Sequence, residues 1–214
     1  MSSPAQQKVT TCAVAATLRN DDGGFRRDEV ACAPIAPTPK SSKKEEAAFL
    51  SAYSYKLASP VYSLDQTDTN KALESFQSFI NEYPNSSRIE EANKHYKELR
   101  FKLEKKAFEI AKTYYRTAVT DFRNYKAAIV TFDNLISDYL GTTLKEDALY
   151  YRLKAYHDLV LVSTERKKGD RIDDAIAAYD RLLRNFPKTK YLSESDKMLN
   201  KIKEEQQKLV KSQT

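Results

Sequence analysis

With 214 residues, 41% apolar and 31% charged, the chain can bury one elongated helical core but not two large domains. Four glycines leave almost nothing for β-turns or phosphate-cradling loops, and no stretch approaches the roughly 18 uninterrupted apolar residues of a membrane span. The net charge of +6 is distributed, with Lys and Arg interleaved among Asp and Glu, and this reads as solvated helix faces in preference to a nucleic-acid surface.

Residues 1–45 differ from the remainder. They hold Pro4, Pro34, Pro37 and Pro39, both cysteines and no sustained apolar period, so they are expected to be disordered apart from a short helical turn near Ala13–Leu18. Cys12 follows QQKVTT, with no charged-then-apolar leader before it. Cys12 and Cys32, twenty apart with no flanking His, supply neither the ligand count nor the spacing of a metal site.

A helix is predicted from Glu45 to about Leu57, with Phe49, Tyr53 and Leu57 on one face, and Ser59-Pro60 stops it. The connection VYSLDQTDT offers Thr69 or Asp68 as the N-cap of a second helix over Lys71–Tyr83. Asn85-Ser86-Ser87 restarts the chain, and Glu90, three beyond Ser87, completes a capping box. The stripe Ile89, Ala92, Tyr96, Leu99 and Leu103 marks a third helix, which either kinks near Lys105 or runs on into Ala107–Tyr115, where Ala107, Ile110, Ala111 and Tyr114 share a face. A loop around Asp121–Asn124 precedes the next helix, and Gly141-Thr142-Thr143 follows it. Leu149, Leu153, Tyr156 and Val160 then form one stripe, ERKKGDR (165–171) reads as a charged loop, and Leu192, Leu199, Ile202 and Leu209 line a polar terminal helix that closes the last core face.

Three of these helices are copies. ALESFQSFINEYP (Ala72–Pro84) returns as AIVTFDNLISDYL (Ala128–Leu140) and as AIAAYDRLLRNFP (Ala175–Pro187). Each begins with a small residue, has an aromatic four on (Phe76, Phe132, Tyr179), an aliphatic four later (Ile80, Ile136, Leu183) and a second aromatic three later (Tyr83, Tyr139, Phe186), then stops. Ala92, Ala148 and Ser195 lie eight beyond each stop, so the repeat extends past it. Ala, aromatic, then Pro is the second-helix half of the tetratricopeptide repeat, and a small residue is what a close helix crossing needs. The expected fold is therefore all-α: a tetratricopeptide-like solenoid of helical hairpins over residues 46–210, about three repeats plus a capping helix.

Catalytic motifs are missing from the sequence: there is no Gly-rich loop, Ser elbow or HExxH, and His95 and His157 read as polar helix-face residues, so neither an enzyme, a cofactor nor a metal is expected. The fourteen tyrosines fall mostly at packing positions. In a tetratricopeptide pair the first helix faces the concave surface, which would point Phe108, Lys112, Tyr115 and Arg116 at a partner; aromatic plus Arg is the mix that makes hot spots.

The connection from Ser59 to Thr69 (SP-x-Y-SLDQTDT), the first copy ALESFQSFINEYPNSS, KKAFEIAKTYY (Lys105–Tyr115) and YKAAIVTFDNLISDY (Tyr125–Tyr139) together resemble the BamD family of outer-membrane-protein assembly lipoproteins, over roughly Ala52 to Leu209. The resemblance implies a non-enzymatic, lipid-anchored scaffold on the periplasmic face of the outer membrane, in the machinery that folds β-barrels. Its implied partners are a BamA-like barrel subunit, met through a POTRA domain, and unfolded outer membrane proteins. Family members carry a lipobox and two further repeats that residues 1–45 do not match, so the chain reads as N-terminally truncated, and Thr131 stands where they can carry a basic residue. The alternative is a cytosolic tetratricopeptide adaptor that reads peptide tails, for which Lys112 is present but has no Asn beside it.

Overall fold

Seven helices and the turns between them account for residues 42–213, the part of the chain that the computed structural model describes, and among these residues there is no strand. They are α1 (Ser42–Ala58), α2 (Thr67–Glu82), α3 (Ile89–Thr117), α4 (Arg123–Asp138), α5 (Lys145–Leu161), α6 (Glu165–Asn185) and α7 (Leu192–Gln213). The segment expected to be disordered lies outside the described residues except for its last four, which form the first turn of α1. From α2 onward each helix packs on its successor, and α3 also touches α5, and α5 touches α7. That is the neighbour pattern of stacked helical hairpins. Residues Glu45–Thr214 make one compact unit.

The small residues at the crossings are fully covered: Ala72, Ala128 and Ala175 on the second helices, and Ala92, Ala148 and Ser195 eight positions after each stop. With nothing larger than a methyl or hydroxyl there, the axes close up and the neighbouring aromatics interdigitate. Phe76 and Phe132 are buried completely, and the next rung of the stripe comes three residues on, at Phe79, Leu135 and Leu182; of the expected aliphatics Ile136 is buried beside it, while Ile80 and Leu183 are half-buried. The 4-3-4 step keeps the stripe on one line along a 3.6-residue helix. Phe49 of α1 closes the first hairpin by meeting Phe76 and Phe79 edge-on at 6.0 and 5.4 Å.

Several turn expectations are corrected. Thr69 caps nothing: α2 opens two residues earlier, and the Thr69 hydroxyl is buried, donating to Gln66 Oε1 at 2.8 Å and meeting Ser59 Oγ at 2.6 Å. Gln66 is the centre of the SLDQT connection, its amide donating to the carbonyls of Val61 and Leu64. At the start of α3 the working hydroxyl is Ser86, not Ser87. Its Oγ accepts the Arg88 N–H at 3.1 Å and donates to Glu45. The same clasp recurs. Thr142 accepts the Leu144 N–H and donates to Glu104 at 2.9 Å, and Thr189 accepts the Tyr191 N–H and donates to Glu146 at 2.6 Å. Each clasp ties the turn after a second helix back to a first helix.

On helix extent, one open alternative is decided and one expectation is overturned. α3 is one continuous helix of 29 residues, about 43 Å at 1.5 Å per residue, whose first half packs on α2 and whose second half packs on α4. The run ERKKGDR is not a loop but the first two turns of α6: Thr164 holds the extended geometry of an N-cap, Glu165 sits at the positive end of the helix dipole, and Lys168 pairs with Glu205 of α7 at 2.6 Å. A Cβ at Gly169 would lie 3.8 Å from Leu209, an ordinary contact, so packing does not demand glycine there. Two residues beyond Tyr139, the C-cap of α4, Gly141 takes φ = 80°, a left-handed step in the turn where the other copies have Asn85 and Lys188.

Candidate protein-docking face on the first helices

The four residues expected to face a partner are not equally available. Phe108 is buried, with Phe132 of α4 and Tyr151 of α5 at 5.8 and 5.9 Å. The reason is phase. Glu104, Phe108, Ala111 and Tyr115 run 4-3-4 along the face of α3 that meets both neighbours, which leaves Ile110 and Tyr114, placed by periodicity in the core, partly exposed. Lys112 lies over the rings of Phe108 and Tyr151, at 5.6 and 5.5 Å, and pairs with Glu109 at 3.4 Å. Arg116 is exposed and 3.7 Å from Glu109. The structure therefore brings Lys112, Tyr115 and Arg116 to the rim of one face and sends Phe108 beneath it.

That face continues along α5 and the turn into α7. The Tyr115 hydroxyl donates to Asp158 Oδ2 at 2.5 Å, and His157 Nδ1 meets Asp158 Oδ1 at 2.7 Å. Burial, then the Asp158 hydrogen bond, raises the Tyr115 phenol far above its ordinary range. Burial alone would push the Asp158 carboxyl up, but the hydrogen bonds from His157 and Tyr115 outweigh it and hold it below the usual carboxylate range. Next along, Tyr150 stacks on Tyr191 with centroids 3.8 Å apart and planes 9° apart, and its hydroxyl donates to Glu194. The Tyr191 hydroxyl donates to Asp147 at 2.7 Å, and Lys190 pairs with the same carboxylate at 2.7 Å. Tyr191 is pushed up to about 12, by burial first and the Asp147 hydrogen bond second.

Three lysines thus sit on aromatic rings in sequence. Lys112 rests on Phe108 and Tyr151, Lys154 lies 5.7 Å from the Tyr115 ring and 6.0 Å from Tyr150, and Lys190 is 4.9 Å from Tyr191. Ammonium groups held over ring faces, with hydroxyls and carboxylates fixed beside them, form a preorganised polar and aromatic surface suited to hydrogen bonding with another protein. Sequence reasoning missed Tyr150, Tyr191 and Lys190, although Glu146 four before Tyr150 repeats Glu45 before Phe49 and Glu104 before Phe108.

On the other side, α4 and α6 flank an open groove of about 420 Å³ floored by Tyr156 and Leu159 of α5. Asp133 anchors its three helices by accepting from Arg152 at 2.9 Å and Arg181 at 2.8 Å. Thr131 turns its hydroxyl back to the Ala127 carbonyl at 2.7 Å. Both histidines, expected on solvated faces, are buried: His95 between Lys56 and α2, and His157 against Asp158. Among the described residues no group of three or more His, Cys, Asp or Glu side chains is placed to hold a metal ion, and no helix is long and apolar enough to cross a membrane.

The family model of YfiO, described as outer membrane lipoprotein, matches residues 1–172. The chain belongs to that family. The match begins at residue 1, so the N-terminal segment that looks unrelated to the family in the sequence falls inside it. A tetratricopeptide-repeat model matches residues 162–189, which is α6 with the turns at either end, so the repeat family is found where the third copy folds. Comparison with characterised proteins returns no match.

Proposed function

We propose that this chain is a non-enzymatic scaffold of the machinery that assembles β-barrel proteins in the outer membrane, acting on the periplasmic face. It docks on the POTRA region of a BamA-like barrel subunit through its second and third hairpins. The observation that carries the reading is the match to an outer membrane lipoprotein family over most of the chain. The geometry supports it: two hairpins locked to each other through Tyr115–Asp158 and Asp133–Arg181 present a rigid face of lysines on tyrosine rings. Unfolded outer membrane proteins are second candidate partners for the same face. The reading as a cytosolic peptide-tail adaptor loses ground, because the Lys112 ammonium it would need is already engaged by Glu109 and two rings. A pull-down with the periplasmic domains of the barrel subunit tests the proposal: recovery that falls on Lys154→Glu with Lys190→Glu supports it, and no recovery by a folded sample rejects it.

A further inference from the structure

The two ends of the hairpins differ in composition. At the end where second helices hand over to first helices, the turns beyond the stops are polar, Asn85 to Ser87, Gly141 to Thr143 and Lys188 to Lys190, and one stop, Leu140, is an exposed apolar side chain. At the other end, the α3–α4 turn exposes Val119 (83%) and Phe122 (57%), and the α5–α6 turn exposes Leu161 and Val162. These two turns lie at one level, since Tyr115 in the last turn of α3 bonds Asp158 in the last turn of α5, and Lys126, Leu159 and Lys167 line one groove. α7 rises to the same end, its Leu209 beside Gly169. Turn geometry asks for Gly, Asn, Asp and Ser, not for apolar side chains facing outward, so the tips have no folding reason.

Their surroundings indicate what covers them. Arg116, Arg123, Lys126, Arg166 and Lys167 lie in or beside these turns, Arg116 paired with Glu109 and Arg123 with Asp121, and Glu165, Asp170 and Asp174 are the other carboxylates nearby. Lys126, Arg166 and Lys167 make no ion pair with any described residue. We propose that this end rests on an anionic phospholipid surface, with the apolar tips entering the headgroup boundary and the cations meeting lipid phosphates. Apolar side chains rimmed by Lys and Arg are the composition of a surface that lies on a bilayer without crossing it. The inference rests on the reading that the chain works at the periplasmic face of the outer membrane.

The test is flotation of the full chain with vesicles of phosphatidylglycerol and phosphatidylcholine, against phosphatidylcholine alone. Two double variants change the end while sparing the core: Val119→Ser with Val162→Ser, and Arg166→Glu with Lys167→Glu, the latter adding acid at the start of α6 where the helix dipole favours it. The expected result is salt-sensitive binding to the anionic vesicles, reduced about tenfold by the charge reversals and several-fold by the apolar pair, with helicity and capture of the barrel subunit's periplasmic domains unchanged. Equal binding to both vesicle types, or variants that float like the parent chain, would overturn it. So would variants that keep vesicles and lose the barrel domains, which would make this end a protein interface. A parent chain that floats but captures no barrel domain would reject the docking proposal and leave this one standing.

Discussion

The recurring clasp between a turn hydroxyl and a first-helix glutamate makes a quantitative prediction at Thr142. Its Oγ1 donates to Glu104 Oε2 at 2.9 Å and accepts the Leu144 N–H at 3.1 Å, while Glu104 is buried and also accepts from Arg100 Nε at 3.2 Å. Thr142→Val keeps the shape and removes both interactions. A lost hydrogen bond to a charged group costs about 1.5–3 kcal/mol, and a lost cap-type acceptor about 0.5–2 kcal/mol. The sum is about 2–5 kcal/mol, or a fall in Tm of about 4–20 °C for a domain of this size. Thr143→Val, one residue on and exposed, should stay within about 0.5 kcal/mol of the parent. If the carboxylate is the reason, Thr142→Val should cost about 1–2 kcal/mol less in a Glu104→Leu background, and urea denaturation of the four proteins measures that coupling. Thr142→Val melting together with Thr143→Val, or a cycle that closes at zero, would refute the role assigned to the clasp.

Three other perturbations follow from the geometry. Ala128→Glu forces a charge into a crossing with no exposed surface and should unfold the second hairpin at ordinary temperature; unchanged melting would mean the crossing is not there. Gly141→Ala meets no atom within 4 Å but must adopt φ = 80°, so it should cost about 1 kcal/mol by strain alone, with Gly141→Asn costing less, both read from urea midpoints. Ultraviolet titration should show Tyr179 and Tyr191 ionising only near pH 12, with Tyr115 and Tyr150 later still. Because these phenols are raised above the unfolded value of about 10, their contribution to stability is complete below that pH and drains away as pH climbs toward 12. Fourteen tyrosines titrating together near 10 in folded protein would contradict the hydrogen bonds to Asp147, Asp158, Glu194 and Asp196.

Periodicity revealed the second helices because their signal is local: Ala128, Phe132 and the break at Leu140 are fixed by one helix, one neighbour and one stop. The first helices were harder to read because each meets two neighbours. Ala111 is buried as expected, but whether Phe108 or Ile110 accompanies it depends on where α4 and α5 lie, and only Glu104 four residues earlier fixes the phase. The face at Lys112, Tyr115 and Arg116 was therefore half visible, and its extension to Tyr150, Lys190 and Tyr191 depends on partners about 44 residues away. ERKKGDR looked like a loop because it has no apolar stripe, yet a mixed-charge run is also what an exposed helical face looks like, and Lys168 finds its anion on a helix that follows much later. The SLDQT connection misled for a related reason: Thr69 has the right chemistry for a cap, but Gln66 reached its hydroxyl first.

Because α3 belongs to two hairpins without a break, the first and second repeats share a single shaft. A partner that tilts one must swing the other, and the swing is magnified by a lever arm of about 43 Å. A tilt applied near Ile89 would therefore reach Thr117 as displacement for as long as α3 stays straight.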